Sequence, residues 1–308
     1  MVRRCLQPSL FPLFVLAMGA LSLWTPSLNL AAPLGLPPAT REILSLLLPI
    51  ALVYPAIAAS ERLLPYREDW RRPEGDVRSD ALHLLFTGAA ANALFDATTR
   101  AGAVGAGAWL SARLGGELWP VEAPLPVQLV LAIWIAELGH WLFHWISHEN
   151  PLVWRLHAAH HSAPRLYWLN ATRFHVLDLF CLVSFQTVPL IALGIGRDGF
   201  LAYAVFSALY GQLQHCNADL RTGPLDFVFS TPALHRWHHS RDPREGNTNY
   251  GAILILWDHA FRTFFRPRGR SFEGPVGIRD LPRFPRGYLG QQLSPFRWAR
   301  IRRENAAA

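Results

Sequence analysis

Long apolar runs with no alternating period dominate the chain up to residue 216. Residues 9–25, 42–60, 126–148, 176–194 and 199–216 are each close to the length a helix needs to cross the hydrocarbon core of a bilayer, about 20 residues. A further stretch, 80–113, can hold one such span with an amphipathic extension, or two short ones. No run alternates apolar and polar positions as a half-buried strand does. The pattern therefore predicts an all-α integral membrane bundle, with its backbone groups satisfied inside each helix.

The polar breaks orient the spans. Arg62, Arg67, Arg71, Arg72 and Arg78 mark the 61–79 loop as cytoplasmic by the positive-inside rule. With one crossing through 80–113, residues 148–175 and everything after 216 fall on the same side. Three regions follow: 1–79, two spans and the arginine-rich loop; 80–265, the main helical domain; and 266–308, a cytoplasmic tail. Its prolines, glycines and arginines predict a loose tail. The basic start and apolar run of "MVRRCLQPSLFPLFVLAMGALSLW" read as an uncleaved first span rather than a signal peptide, because no small-x-small cleavage site follows. "GIGRDG", Gly194 to Gly199, matches a dinucleotide fingerprint on paper. It lies between two apolar runs with no strand before it, so it predicts a helix hairpin turn.

Composition supports the membrane reading. Hydrophobic residues make up 51% of the 308, charged residues only 17%, and mean hydropathy is +0.15. The net charge is +7 and every basic residue is arginine. These arginines flank apolar runs, at 62–78 and 262–303, instead of forming a basic face, which argues against nucleic acid as a partner. They suit an anionic leaflet, and a bacterial inner membrane is the expected location. Cys5, Cys181 and Cys216 have neither metal spacing nor an even count, and Cys181 and Cys216 read as small apolar fillers on helices.

The histidines change the picture from membrane protein to membrane metalloprotein. Eleven of the 13 fall between His140 and His239, which is not random scatter. His140, His144 and His148 step by four along one helical face. "HAAHH" supplies His157, His160 and His161; "HRWHH" supplies His235, His238 and His239. Offsets of 0, 3 and 4 bring three imidazoles to one side of a helix. Imidazole is a neutral, borderline ligand for iron, zinc, copper or nickel, and the two triplets with His144 and His148 offer enough nitrogens for two ions. His175 and His215 stand between the clusters as possible helpers. His83 and His259 read as hydrogen-bonded core residues.

In order along the chain, "HWISHENPLVWRLHAAHHS", "RFH", "QHCNADL", "TPALHRWHHSRD" and "NTNYGAILILWDHAFRTFF" resemble the fatty acid hydroxylase/sterol desaturase superfamily over residues 80 to 265. Its pattern is HxxxH, eight residues, HxxHH, an H-x-N, then a second HxxHH followed by N-(F/Y)-G and W-D. The resemblance implies two iron ions held by His144, His148, His157, His160, His161, His235, His238 and His239, with His215 assisting and His140 or His175 as possible additional ligands. It implies a cytosolic histidine-rich cap on the helical bundle, and hydroxylation or desaturation of a lipid with O2 as co-substrate. Sterol-like, hopanoid, carotenoid, fatty acyl and ether lipids all remain open as substrates. Four positions depart from the usual pattern: Trp145 stands where arginine is common, His140 where tyrosine is, Val176 where proline is, and Arg262 where glycine is.

An unactivated C–H bond is beyond ordinary acid–base groups, whereas a di-iron centre with O2 supplies a sufficient oxidant. The carboxylates Glu137, Asp219 and Asp258 are candidates to fix imidazole tautomers. Tryptophans 141, 145, 154, 168, 237 and 257 are expected to form an interfacial belt and wall the site. Haem-attachment, flavin, nicotinamide and iron–sulfur motifs are absent. A ferredoxin- or cytochrome-type donor with its reductase is therefore the expected electron source. Two other classes remain open: a metal-dependent membrane hydrolase or isomerase, separable by whether turnover consumes O2, and a non-catalytic metal-binding membrane protein.

Overall fold

The structure, a computed structural model, describes residues 2–28 and 38–306, with side chains from 7 to 28 and from 44 to 306. The Cys5 side chain lies outside the described residues. Helices α1 (Val2–Trp24) and α2 (Pro38–Leu63) are followed by the short α3 (Val77–Leu82), a π-helical turn (His83–Thr87), α4 (Gly88–Thr98) and α5 (Arg100–Leu114). Then come α6 (Leu125–Glu149), α7 (Pro151–His161), α8 (Val176–Ala192) and α9 (Arg197–His215). The cap and tail carry α10 (Pro232–His238), α11 (Pro243–Gly246), α12 (Leu256–Phe261), α13 (Tyr288–Leu293) and α14 (Trp298–Ala306). Among the described residues there is no β-strand, only three isolated bridges. The protein is an all-α membrane bundle.

Segments Gln7–Ser27, Leu44–Leu63 and Leu125–Glu149 are long and apolar enough to cross a membrane, and Val176–Ala192 is a shorter apolar helix. α9 is less apolar, because Gln212, Gln214 and His215 are buried in its last turns. The 80–113 stretch is helical almost throughout, with only Thr99 between helical residues. It comprises the second half of α3, the π turn, α4 and most of α5, and none of these is by itself long and apolar enough to cross. α1, α2, α6 and α9 share the main core, where Phe11, Met18, Ile57, Ala132 and Leu209 are fully buried. Ile195 and Gly196 turn α8 into α9, the helix hairpin turn expected of "GIGRDG", with Gly194 at φ +85° ending α8.

α6 and α8 come into backbone contact at Gly139, where a Cβ would stand 1.9 Å from the Phe185 carbonyl oxygen. Small residues allow such backbone contact between membrane helices. This contact fixes the end of α6 that carries the first histidines.

The tail is not loose. Gln291 is fully buried and accepts from His83 Nε2 (2.7 Å) and the Ser79 hydroxyl (3.3 Å), tying α13 to α3. Gln292 Oε1 accepts from the Val176 N–H (3.0 Å), a bond proline at that position would forfeit. Leu281, Phe284 and Ile301 pack on Ala158 of α7. Prolines and arginines suggested looseness because the buried residues between them follow no helical or strand period. His83 is a buried core residue as expected. His259 is not: it lies exposed, with a 3.2 Å bond to the Phe227 carbonyl.

Gly139→Ala should cost more than the roughly 1–3 kcal/mol typical of one extra methyl in a packed core, since the obstacle is backbone. A large drop in detergent-solubilised yield and thermal midpoint is expected; a variant as stable as the parent would refute the α6–α8 contact.

Candidate metal centre

Two proline-led starts set the geometry. Asn150 ends α6 and caps α7, its Oδ1 accepting from the Leu152 and Val153 N–H groups (2.9 and 3.2 Å), with Pro151 in the first helical position. α7 therefore folds back and sets His157, His160 and His161 against His144 and His148. Thr231 and Pro232 start α10 in the same way, presenting His235 and His238, with His239 just beyond its end.

Nine imidazoles then divide into two nests. His144, His148, His157, His161 and His238 form the first; His160, His215, His235 and His239 form the second. Within each, one nitrogen per ring lies within 4.8 Å of all the others. The two HxxHH boxes are split alike. His157 and His161, one turn apart, share the first nest while His160 joins the second; His235 and His239 share the second while His238 joins the first. Each box thus sends two rings to one nest and its middle ring to the other.

Hydrogen bonds fix which nitrogen points inward. Nδ1–H of His144 donates to the Tyr250 carbonyl (2.7 Å), that of His238 to the Thr248 carbonyl (2.8 Å) and that of His157 to Asp178 (2.9 Å). His148 donates to the Asn247 amide oxygen (3.1 Å) and His215 to that of Asn170 (2.9 Å). With the proton on Nδ1, each Nε2 carries an in-plane lone pair. Nε2 of His144 and of His238 are buried without a hydrogen-bond partner. Elsewhere Nε2 atoms face one another: His148–His161 and His161–His157 at 3.1 Å, His215–His235 at 2.8 Å, His235–His239 at 3.0 Å. Each such contact needs a proton or a cation between the nitrogens, and the buried, unpartnered Nε2 atoms of His144 and His238 have neither, so the donor set fits two metal ions.

Burial, followed by the neighbouring imidazoles, holds His157, His160, His161, His235, His238 and His239 well below their ordinary value of 6.5. They are neutral at pH 7, the form that binds metals.

The carboxylates divide differently from the sequence expectation. Glu137 accepts from the Ala252 and Ile253 N–H groups, and Asp258 from those of Tyr250 and Gly251 and from Trp141 Nε1. Both clamp the 250–253 loop, so they act on His144 only through the Tyr250 carbonyl. Asp219 accepts from Gln7 of α1 and holds no imidazole. The carboxylate that does is Asp178, which sequence reasoning missed, as it missed Asn170 and Asn247. An ionisable residue inside the apolar run 176–194 was the available signal. The N-Y-G segment has a physical account. Asn249 adopts φ +56°, with its amide clamped to Leu234 and Phe265, and a Cβ on Gly251 would meet the Leu254 carbonyl at 2.2 Å. Arg262 sits at φ +63°, a conformation that favours glycine, at a cost of about 1–2 kcal/mol.

His175 and His140 lie outside both nests. His175 caps α8, accepting from the Leu177 N–H (3.1 Å) and donating to the Gln292 carbonyl (2.9 Å), so both nitrogens are used. His140 Nδ1 takes a bond from Gln186 (2.6 Å). Of the six tryptophans, only Trp154 has ring contacts with imidazoles among the described residues; Trp141 instead stacks between Trp145 and Phe261. An apolar cavity of about 370 Å³ between α6, α8 and α9 reaches His144 and His157 of one nest and His160, His215 and His235 of the other.

Fold and site together define a class: a membrane-helix bundle whose cap buries two nests of neutral imidazoles. A model of the fatty acid hydroxylase family matches residues 129–263. The ornithine lipid hydroxylase OlsE of Rhizobium tropici is 40% identical over 241 residues, 78% of this chain and 72% of the relative. Alkylglycerol monooxygenases of Danio rerio and Homo sapiens are 35% and 34% identical over 51% and 42% of this chain, but only 36% and 28% of their own lengths. No solved structure matches. The chain belongs to the fatty acid hydroxylase family.

The lowered imidazole values give a pH signature. Below pH 6.5 the unfolded chain gains protons that the buried rings refuse, so stability is flat above that value and falls as pH drops toward the folded values, by at most about 1.4 kcal/mol per ring per pH unit. The metal-free protein should unfold at a clearly lower temperature at pH 5 than at pH 7.5. Equal midpoints would mean the rings are not buried and neutral.

Proposed function

We propose that the chain is a membrane lipid hydroxylase whose nests each hold one iron ion, with O2 as co-substrate. The observation that carries this reading is the division of nine ring nitrogens into two groups, each within 4.8 Å. His144, His148, His157, His161 and His238 would hold one ion, and His160, His215, His235 and His239 the other. With iron and O2 bound, such a centre supplies an oxidant strong enough to take hydrogen from an unactivated C–H bond.

The chain's own residues do the rest. Asp178, Asn170, Asn247 and the carbonyls of Thr248 and Tyr250 hold protons on the outward nitrogens and so aim the inward ones. The apolar cavity, walled by Phe174, Leu179, Leu182 and Val183, takes an acyl or alkyl chain and keeps water from it. It touches rings of both nests, so a chain lodged there would bring a C–H bond between them. The hydroxylase and monooxygenase relatives favour an alcohol over an alkene as product, and an ornithine lipid is the first substrate to test.

O2 takes four electrons and one C–H bond supplies two, so a separate ferredoxin- or cytochrome-type donor with its reductase supplies the others. Several helices cross the membrane, and the site faces the cytoplasm. This orientation is supported by the arginine-rich loop after α2, whose Tyr66 and Arg67 N–H groups bond to Asn217, two residues beyond His215.

The test is iron content together with ¹⁸O₂ incorporation into ornithine lipid. Wild type should carry about two irons per chain and yield a labelled alcohol. His160→Ala and His238→Ala should each lose at least 100-fold in activity and about one iron, with helical content unchanged. Product formed equally well without O2 would move the protein to the hydrolase or isomerase class.

A further inference from the structure

The nests are flanked by a second, polar cavity of about 660 Å³, and the two cavities are unequal. The apolar one meets both nests, whereas the polar one meets only His148, His161 and His238, all of the first. A C–H bond placed in the polar cavity would reach one nest alone, so that cavity does not suit the substrate. Residues 277–281 and α14 build nearly half of its wall, with Arg241, Arg279 and Arg302 exposed on its rim beside Glu149 and Asp280. Residues 277–306 carry seven arginines against Asp280 and Glu304, a net +5 (7 − 2) of the chain's +7. Trp154, in the cavity wall, has its ring 5.2 Å from His148 and 5.4 Å from His161, centroid to centroid.

We infer that the arginine-rich tail around this cavity, Arg279 and Arg302 on its rim, docks an acidic one-electron carrier protein and that Trp154 conducts its electrons to the first nest. Opposite charge steers such encounters and makes them salt-sensitive. A lipid surface would use the arginines alone and leaves the cavity down to His148 and Trp154 unexplained. The inference rests on the hydroxylase reading for its demand for electrons. Per turnover the carrier delivers two electrons in single steps and water supplies two protons; with O2 and one C–H bond these give one C–OH and one water.

The full chain in neutral phosphatidylcholine nanodiscs, metal-free and iron-loaded, is titrated with an acidic plant-type [2Fe–2S] ferredoxin. Binding should occur in both forms and weaken with salt. The Arg279→Glu/Arg302→Glu double variant should raise Kd at least tenfold and flatten the salt dependence, while dithionite still reduces its iron at the wild-type rate. Trp154→Leu should keep the Kd but slow iron reduction by ferredoxin at least tenfold, with Trp154→Phe restoring much of the rate. Unchanged ferredoxin affinity in the double variant overturns the inference, and so does loss of anionic-vesicle binding in its place. Labelled product from dithionite-reduced wild type without any ferredoxin binding would sink the docking face and leave the hydroxylase standing. Charge-dependent binding with no product from any lipid would keep the docking face and sink the hydroxylase.

Discussion

A neutral imidazole has one proton for two nitrogens, and a buried ring must place that proton on an acceptor or forfeit roughly 1–3 kcal/mol. Much of the cap follows from that constraint. The carbonyls of Thr248 and Tyr250, the carboxylate of Asp178 and the amides of Asn170 and Asn247 occupy the outward side of five rings, leaving the inward nitrogens bare. Remove the acceptors and the rings have no reason to face one way. The 247–251 loop, irregular and held at Asn249 in a left-handed turn, gives up regular structure to aim three of those acceptors.

The acceptors must themselves be held, and buried charge does much of this. Glu61 at the end of α2 takes the N–H groups of Trp168 and Asn217 (2.7 and 2.8 Å), joining the membrane helices to both segments that flank His215. Arg173 pairs with Asp80 (2.6 Å) and Arg165 with Asp76 (2.7 Å), all buried, binding the 162–175 segment and its Asn170 to α3. Breaking one partner of such a pair leaves a stranded charge, at a cost of about 3–5 kcal/mol. The same bonds make the cap and the bundle one piece. A metal centre assembled from four helices requires that rigidity.

Much of this was legible in the chain because two periods are explicit in it. Apolar runs of membrane length gave α1, α2, α6 and α8, and the 0, 3, 4 spacing of the histidine boxes gave the rings that meet. The spacing could not reveal that each box would be divided between two nests, since that depends on how α7 and α10 meet in space. The acceptors were hidden for another reason: carbonyls are not encoded by residue type, and single asparagines look like loop residues. The π turn that divides the 80–113 stretch has no signature in residue type. The departures from family pattern gain physical accounts only with neighbours in view. Val176 uses an N–H that proline lacks, and Arg262 stands in a glycine conformation.

The docking of the last helix has a consequence for how the protein is made. Rings of both nests come from residues 144 to 239, but part of the wall over His148 and His161 is built from residues 277 to 306. While the chain is being synthesised, the histidines are therefore in place before their cover exists. Until then the first nest lacks the side that the tail later narrows. Completion of that wall therefore waits on residues 277–306, α14 among them.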